Sequence, residues 1–339
     1  MSAWMIAHAA MLPWIWAAIL AVAVAMYVLL DGFDLGVGML FTLFPAEADR
    51  DRMMNSVAPF WDGNGTWLVL GGGGLMVAFP RAYAIIMPAL YLPIIVMLLA
   101  LILRGVSFEF RWIAKPKHNV WDLAFSGGST LAAFCQGLVL GGLLQGIKVS
   151  NGSFAGGAFD WCTPFALVCG LSVIVGYMLL GACWLVMKTE HDLQARARKL
   201  AQPILFAMLA CIGIVSIWTP LMLPRIAARW FTLPNFLYLS PLPLATLVVA
   251  WLCWRGLRKG RSVLPFLSAI GLFLLAYAGL LISNVPYLVP PVMTIQEAAA
   301  APASQQFLLV GTVFLLPVIL GYTVFVYWVF RGKVGEGYH

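Results

Sequence analysis

Tyr27-Val28-Leu29-Leu30-Asp31-Gly32-Phe33-Asp34-Leu35-Gly36-Val37-Gly38 sets two carboxylates three residues apart inside an apolar run that begins near Pro13 and ends near Phe44. In a helix, positions i and i+3 share one face. An ionised carboxylate costs several kcal/mol in hydrocarbon, so this pair must face protein, water or a counter-charge.

The rest of the chain is built of similar runs. Of its residues 63% are hydrophobic and 10% charged, a balance that points to an integral membrane protein. Stretches near or above the roughly 20 residues that cross a hydrocarbon core recur at about 13–44, 57–79, 83–109, 119–147, 161–187, 201–223, 239–257, 263–285 and 305–331. They predict an all-α, polytopic membrane protein: one integral membrane domain over 1–339, with nine transmembrane helices that suit two four-helix bundles plus one helix. The first span is the longest and is expected to tilt or project. The seventh is the weakest, because Pro220, Pro224, Pro234 and Pro241 crowd its start. Polar connections are expected at 45–56, 110–118, 188–200 and 286–304, the last as an irregular loop on the outer surface.

The basic residues orient this array. With alternating spans, only Arg81, Lys148, Arg225 and Arg229 fall on the side of the N-terminus. The other sixteen of the 20 Lys and Arg fall opposite, counting Arg104 and Arg255 with the span ends where they lie. The positive-inside rule then predicts the N-terminus outside and the C-terminus in the cytoplasm. The net charge of +7 reflects this topology, and its division among separate loops gives no reason to expect a nucleic-acid partner. No basic leader precedes the first run, which is too long for a signal-peptide core, so no cleavable signal is expected. Cys135, Cys162, Cys169, Cys183, Cys211 and Cys253 fall in or beside apolar spans without a CxxC, and read as small hydrophobes. Gly71 to Gly74, Gly127-Gly128 and Gly137, Gly141 and Gly142 read as close-packing surfaces.

Histidine placement limits the chemistry. His8, His118, His191 and His339 all lie outside the span interiors, whereas a membrane haem needs axial ligands projecting into a bundle. The chain is therefore not expected to bind haem by itself, and a His/carboxylate metal site is disfavoured.

The charges within spans are few and similar in depth. Counting 1.5 Å per residue from Trp16 at the outer interface puts Asp31 and Asp34 roughly 22 and 27 Å further in. Asp62, in Pro59-Phe60-Trp61-Asp62-Gly63-Asn64, enters the second span from the cytoplasmic side, and Arg104 ends the third. An Arg–carboxylate pairing would offset much of the desolvation cost. Two readings stand for each residue. Asp62 or Asn64 caps the second helix, or Asp62 carries protons. Arg104 snorkels to the headgroups, or acts as counter-ion. Asp31 and Asp34 brace neighbouring helices, or join a proton path. Asp122 and Glu109 are weaker members of the same neighbourhood.

Several stretches together resemble one family. They are Leu30 to Gly38; Asn55-Ser56-Val57-Ala58-Pro59-Phe60-Trp61-Asp62-Gly63-Asn64, continuing to Trp67-Leu68; Phe79-Pro80-Arg81-Ala82-Tyr83; Leu103-Arg104-Gly105-Val106-Ser107-Phe108-Glu109-Phe110-Arg111; Gly142-Leu143-Leu144-Gln145-Gly146; and Leu316-Pro317 through Lys333. In order and spacing these resemble subunit II of cytochrome bd-type quinol oxidases. Val289-Pro290-Pro291 with Thr294-Ile295, and the short loop after the sixth span, resemble the cyanide-insensitive branch.

The resemblance implies a haem-free subunit in a bacterial cytoplasmic (inner) membrane. Its partner, subunit I, would carry two haems b and one haem d, oxidise ubiquinol or menaquinol and reduce O2 to water. This chain would complete the heterodimer and shape a cytoplasmic proton path through Asp62, with Asp31, Asp34 and Arg104 around it and Trp61 packed near the subunit boundary. The resemblance also allows a structural quinone or lipid in this subunit, and a small accessory subunit. Gly65 departs from the family, which commonly carries Glu or Gln there, so a proton relay should not depend on that position. Two other readings compete: a proton-coupled secondary transporter, and a purely structural assembly subunit of the same oxidase. Transporters usually pair interrupted helices in corresponding halves, with charges near the midplane, whereas here the charges crowd one leaflet.

Overall fold

The computed structural model describes the backbone of residues 3–9 and residues 10–114 and 118–334 in full. His339 and the side chain of His8 lie outside the described residues. The chain runs α1 (Ala3–Leu40), a 3-10 turn (Phe41–Leu43), α2 (Glu47–Val57), α3 (Trp61–Ala78), α4 (Pro80–Ile113), α5 (Asn119–Gln145) and the strand pair β1 (Val149–Ser150) and β2 (Ser153–Phe154). There follow α6 (Pro164–Lys188), α7 (His191–Met222), α8 (Pro224–Phe231), α9 (Asn235–Leu239), α10 (Pro241–Arg258), α11 (Val263–Asn284), β3 (Tyr287–Val289), β4 (Met293–Thr294), α12 (Ile295–Ala298) and α13 (Pro302–Val329).

Among the described residues, 8 helices are long and apolar enough to cross a membrane. The second expected span, 57–79, becomes the shorter α3, which is not one of them. Asp62, Asn64 and its glycines (Gly63, Gly65 and Gly71 to Gly74) dilute its hydropathy. The expected polar connections 45–56 and 188–200 are largely helical instead. A polar sequence adopts helix as readily as an apolar one once its ends are anchored, so α2 and the first turns of α7 continue where hydropathy stops. The third span is longer than expected. Pro88 and Pro93 cannot donate backbone hydrogen bonds, and between them Leu90 leaves helical geometry (φ −120°, ψ 17°), a kink within one continuous element.

In lipid the helices gain little from hydrophobic sorting, so close approach decides which ones pair. α1 is the shared element, packed against α3, α5 and α6. α4 joins α5, while α7 and α11 pack on α6 and α10 packs on α11 and α7. α13 lies against α1 and α3. The α1–α6 seam is glycine on both sides: a Cβ at Gly36 would overlap the Tyr177 carbonyl oxygen, and one at Gly181 would overlap the Gly36 carbonyl carbon. Below it, Phe33 stacks on Trp184 (4.0 Å between centroids), Phe266 meets both rings edge-on, and Phe60 stacks on Tyr327 (4.4 Å). This aromatic cluster ties α1, α6, α11, α13 and the turn before α3 together.

The 286–304 segment is more ordered than an irregular loop. β3 and β4 pair antiparallel, and a capping box between Thr294 and Glu297 starts α12. Bonds from Thr294 hold the Glu297 carboxyl below the usual carboxylate range. Gln296 donates to the Ala10 carbonyl (3.1 Å) and Arg81 to the Glu297 carbonyl (3.0 Å), fastening this segment over the N-terminal ends of α1 and α4.

Gly36→Ala is expected to lower the stability of the purified protein by about 1–3 kcal/mol, because backbone blocks any relief. Gly213→Ala has open space around its new methyl and should leave the thermal midpoint unchanged or raise it. Equal midpoints for the two variants would show that the α1–α6 seam is not tightly packed.

Candidate functional site

Asp31 and Asp34 lie one turn apart on α1, 2% and 0% exposed, and α4 brings Arg104, 3% exposed, between them. Arg104 Nη1 donates to Asp31 Oδ1 at 2.7 Å, and Nη2 stands 3.8 Å from Asp34 Oδ2. The close approach of α4 to α5 sets this depth: a Cβ at Gly128 would stand 2.8 Å from the Ala100 carbonyl oxygen and 3.2 Å from the Arg104 nitrogen. Asn64 of α3 donates to Asp34 Oδ2 (2.7 Å) and to the Leu30 carbonyl (3.2 Å), and Tyr327 of α13 donates to Asn64 Oδ1 (3.2 Å). One guanidinium thus faces two carboxylates in an apolar interior. Asp34 Oδ1 and Arg104 Nε are buried and have no hydrogen-bond partner among the described residues.

A second polar chain lies one turn toward the N-terminus of α1. Tyr177 of α6 donates to Gln136 Oε1 (2.6 Å), and Gln136 of α5 donates to the Tyr27 hydroxyl (2.8 Å). Tyr27 in turn stands one turn before Asp31 on the same side of α1. Five long helices (α1, α3, α4, α5 and α6) and α13 therefore share one buried polar network.

Asp62 stands apart from it. It is exposed, in the first turn of α3, and no hydrogen bond or ion pair holds it among the described residues. Neither Asp62 nor Asn64 caps the helix: the N-cap is Phe60, without a side-chain bond, and Asn64 turns inward to Asp34. Asp62, Thr66, Val69, Gly73 and Met76 recur at helical spacing and leave one side of α3 uncovered. Trp61, half-buried, stacks on Phe108 of α4 at 4.8 Å. A Cβ at Gly65 would meet nothing within 4 Å, so the residue type there is not set by packing.

Asp122 belongs to a separate lattice at the α2 end of the molecule. Arg111, fully buried, donates through Nε to Asp122 (2.6 Å) and through Nη1 to Asp51 of α2 (2.6 Å). Arg50 reaches Asp122 at 3.3 Å and Arg196 of α7 reaches Asp49 at 3.5 Å. His118, buried beside α2, lies 3.7 Å from Glu47. Glu109 is exposed. Among the described residues no three of His, Cys, Asp or Glu converge as a metal-ligand set.

Sequence reasoning brought Asp31, Asp34 and Arg104 together but missed Asn64 as their partner, and with it Tyr27, Gln136, Tyr177 and Tyr327. An amide in mid-span was the available signal for Gln136 and Asn64. A tyrosine in an apolar run gives none, because its ring already fits there.

A family model described as cytochrome bd terminal oxidase subunit II matches residues 12–330. The chain is 29% identical over 368 residues to cytochrome bd-I ubiquinol oxidase subunit 2 of Escherichia coli K12, covering 95% of each. It is 29% identical over 342 residues to cytochrome bd ubiquinol oxidase subunit 2 of Bacillus subtilis, covering 95% of this chain and 96% of that one. Its fold matches a chain of the bd oxidase from Geobacillus thermodenitrificans with a TM-score of 0.79 at 16% identity, over 94% of this chain and 98% of that one.

Removing Arg104 leaves two buried carboxylates without their cation, a change expected to cost about 3–5 kcal/mol. Arg104→Gln should therefore abolish or sharply lower thermal stability, and adding Asp31→Asn to it should recover part of the loss. An Arg104→Gln protein as stable as the parent would refute the clasp.

Proposed function

Because the chain belongs to the cytochrome bd terminal oxidase subunit II family and is a subunit of a quinol oxidase, we propose that it is the haem-free half of that complex and carries part of a proton path to the oxygen-reducing haem of subunit I. The observation that carries the proposal is the buried clasp of Arg104 with Asp31 and Asp34, lying beside the uncovered face of α3 that bears Asp62. One cation balances one carboxylate, so the second gives the site a place to hold a proton. Asp34 Oδ1 is the oxygen free to accept it.

Ubiquinol is the substrate in the names of the Escherichia coli and Bacillus subtilis relatives, and we assign the same reaction to this complex, ubiquinol or menaquinol to quinone with O2 to water. Haems b and d would reside in subunit I. Among the described residues, His118 precedes α5 and His191 opens α7, so both stand at helix ends and not in mid-span where an axial ligand would, which favours that placement. The uncovered face of α3, with Trp61 at its edge, is where we place subunit I. In this arrangement Asp62 receives protons at the boundary, while Asp34, Asp31 and Arg104 set the local charge.

The α2 end faces the cytoplasm in this reading. Arg50, Arg111, Arg196 and Lys188 gather there, and Val334 donates to the Lys188 carbonyl (2.9 Å), bringing the C-terminal segment to the same side. The N-terminus is then outside, in an inner membrane.

Two measurements test this. A reduced-minus-oxidised spectrum of the purified protein should show haem b and d bands that travel with a larger subunit and vanish when this chain is isolated. Asp62→Asn, which keeps size but removes the titratable group, should slow quinol oxidation about 10-fold or more in a fully haem-loaded complex. Unchanged turnover would favour a purely structural subunit, and a protein without haem or partner would favour a proton-coupled transporter.

A further inference from the structure

We propose that the apolar groove at the end of α7 and the two arginines of α8 form a binding site for an anionic phospholipid. α7 stops at Met222, and α8 starts two residues later with Pro224-Arg225-Ile226-Ala227-Ala228-Arg229-Trp230-Phe231. Arg225 and Arg229 are one turn apart and share a face, while Ile226 is buried beneath α8. The helix therefore lies as an amphipathic segment where a membrane-crossing helix has just ended.

Among the described residues neither arginine meets a carboxylate. Arg225 donates to the Ser283 carbonyl (3.4 Å) and to Asn284 Oδ1 (3.1 Å). Arg229 donates to the Ile282 carbonyl (2.6 Å) and the Val285 carbonyl. Apart from the Asn284 side chain, these acceptors are backbone carbonyls at the C-terminal end of α11, whose dipole favours a cation but does not neutralise it. Among the described residues, the acids at this end are Asp160 and Glu297. Asp160 pairs with Lys148 at 3.0 Å, and Glu297 is bonded to Thr294 beside Arg81. Two of the four basic residues at this end are thus left without an anion. The Arg225 Nε is buried without a partner, and partial desolvation, with Arg229 alongside, weakens the hold of Arg225 on its proton.

The groove supplies the other half. Ile214, Ile217, Trp218, Leu221 and Met222 line an open trough of about 610 Å³. Ile217 is 65% and Leu221 79% exposed, so the wall is aliphatic and faces outward. Trp218 and Met222 pack in one cluster with Leu280 of α11, two residues before the carbonyl that Arg229 holds. An acyl chain in the trough would thus bring its headgroup to Arg225 and Arg229. Guanidinium groups match phosphate oxygens in geometry as well as charge. A zwitterionic lipid carries no net charge for two unpaired cations, and a quinone carries no anion at all.

Native mass spectrometry of the full chain, with whatever partner co-purifies, tests the site. After delipidation it is titrated with phosphatidylglycerol and with phosphatidylcholine of the same acyl chains. The parent protein should retain one phosphatidylglycerol with about 10-fold preference, and Arg225→Gln with Arg229→Gln should bring that preference close to unity. These arginines also brace α11, so Leu221→Asn serves as a second variant. It leaves the arginines in place and should weaken retention of both lipids. Equal retention of the two lipids by the parent, a preference unchanged in the arginine variant, full affinity in Leu221→Asn, or a quinone displacing the phospholipid from the groove would each overturn the proposal.

Discussion

One cation in an apolar interior organises this protein. Arg104 has no water to solvate it, and its position on α4 is tolerable only because α1 supplies Asp31 within 2.7 Å and Asp34 within 3.8 Å. The demand is mutual, since the two carboxylates would be still costlier without it. That requirement fixes the rotation of α1 toward α4, and Asn64 then draws α3, and through Tyr327 α13, to the same point. The Tyr27–Gln136–Tyr177 chain does the same for α5 and α6.

Specific polar contacts of this kind have unusual weight where the surroundings are lipid. Apolar side chains gain little by meeting each other instead of acyl chains, so backbone proximity and buried hydrogen bonds decide the arrangement. The Gly36–Gly181 seam brings α1 and α6 close enough for Tyr177 to join the network beside the carboxylates. At the other extreme, the central stretch of α13 has no fully buried residues: Leu316, Ile319 and Leu320 rest on the Ala23–Tyr27–Trp67 cluster, with polar ties at Gln305 and Tyr327. An exposed helix is stable in lipid because its own backbone bonds are complete.

The division of charge follows the same logic. Arg111, Asp51, Asp122, Arg50, Arg196 and Asp49 form a lattice at one end, where α2 lies across α4, α5 and α7 and each buried charge has a near partner. The opposite end has few charges and pairs most of them, apart from Arg225 and Arg229.

Hydropathy alone determined that this chain is a multi-pass α-helical membrane protein, because the minimum length of roughly 20 residues for an apolar run is a one-dimensional signal set by bilayer thickness. The placement of Asp31, Asp34 and Arg104 was likewise legible, since an ion in a span demands a partner. Helix ends were less so: α2, and the extensions of α4 and α7, lie where polarity says loop but backbone hydrogen bonding continues. Which way each side chain faces was decided by tertiary structure alone. Asp62 and Asn64 are two residues apart in a glycine-rich stretch that fits either one inward. Only the packing of α3 on α1 turns Asn64 to Asp34 and leaves Asp62 on the open face, because rotation about a helix axis is fixed by its neighbours and is not encoded in depth.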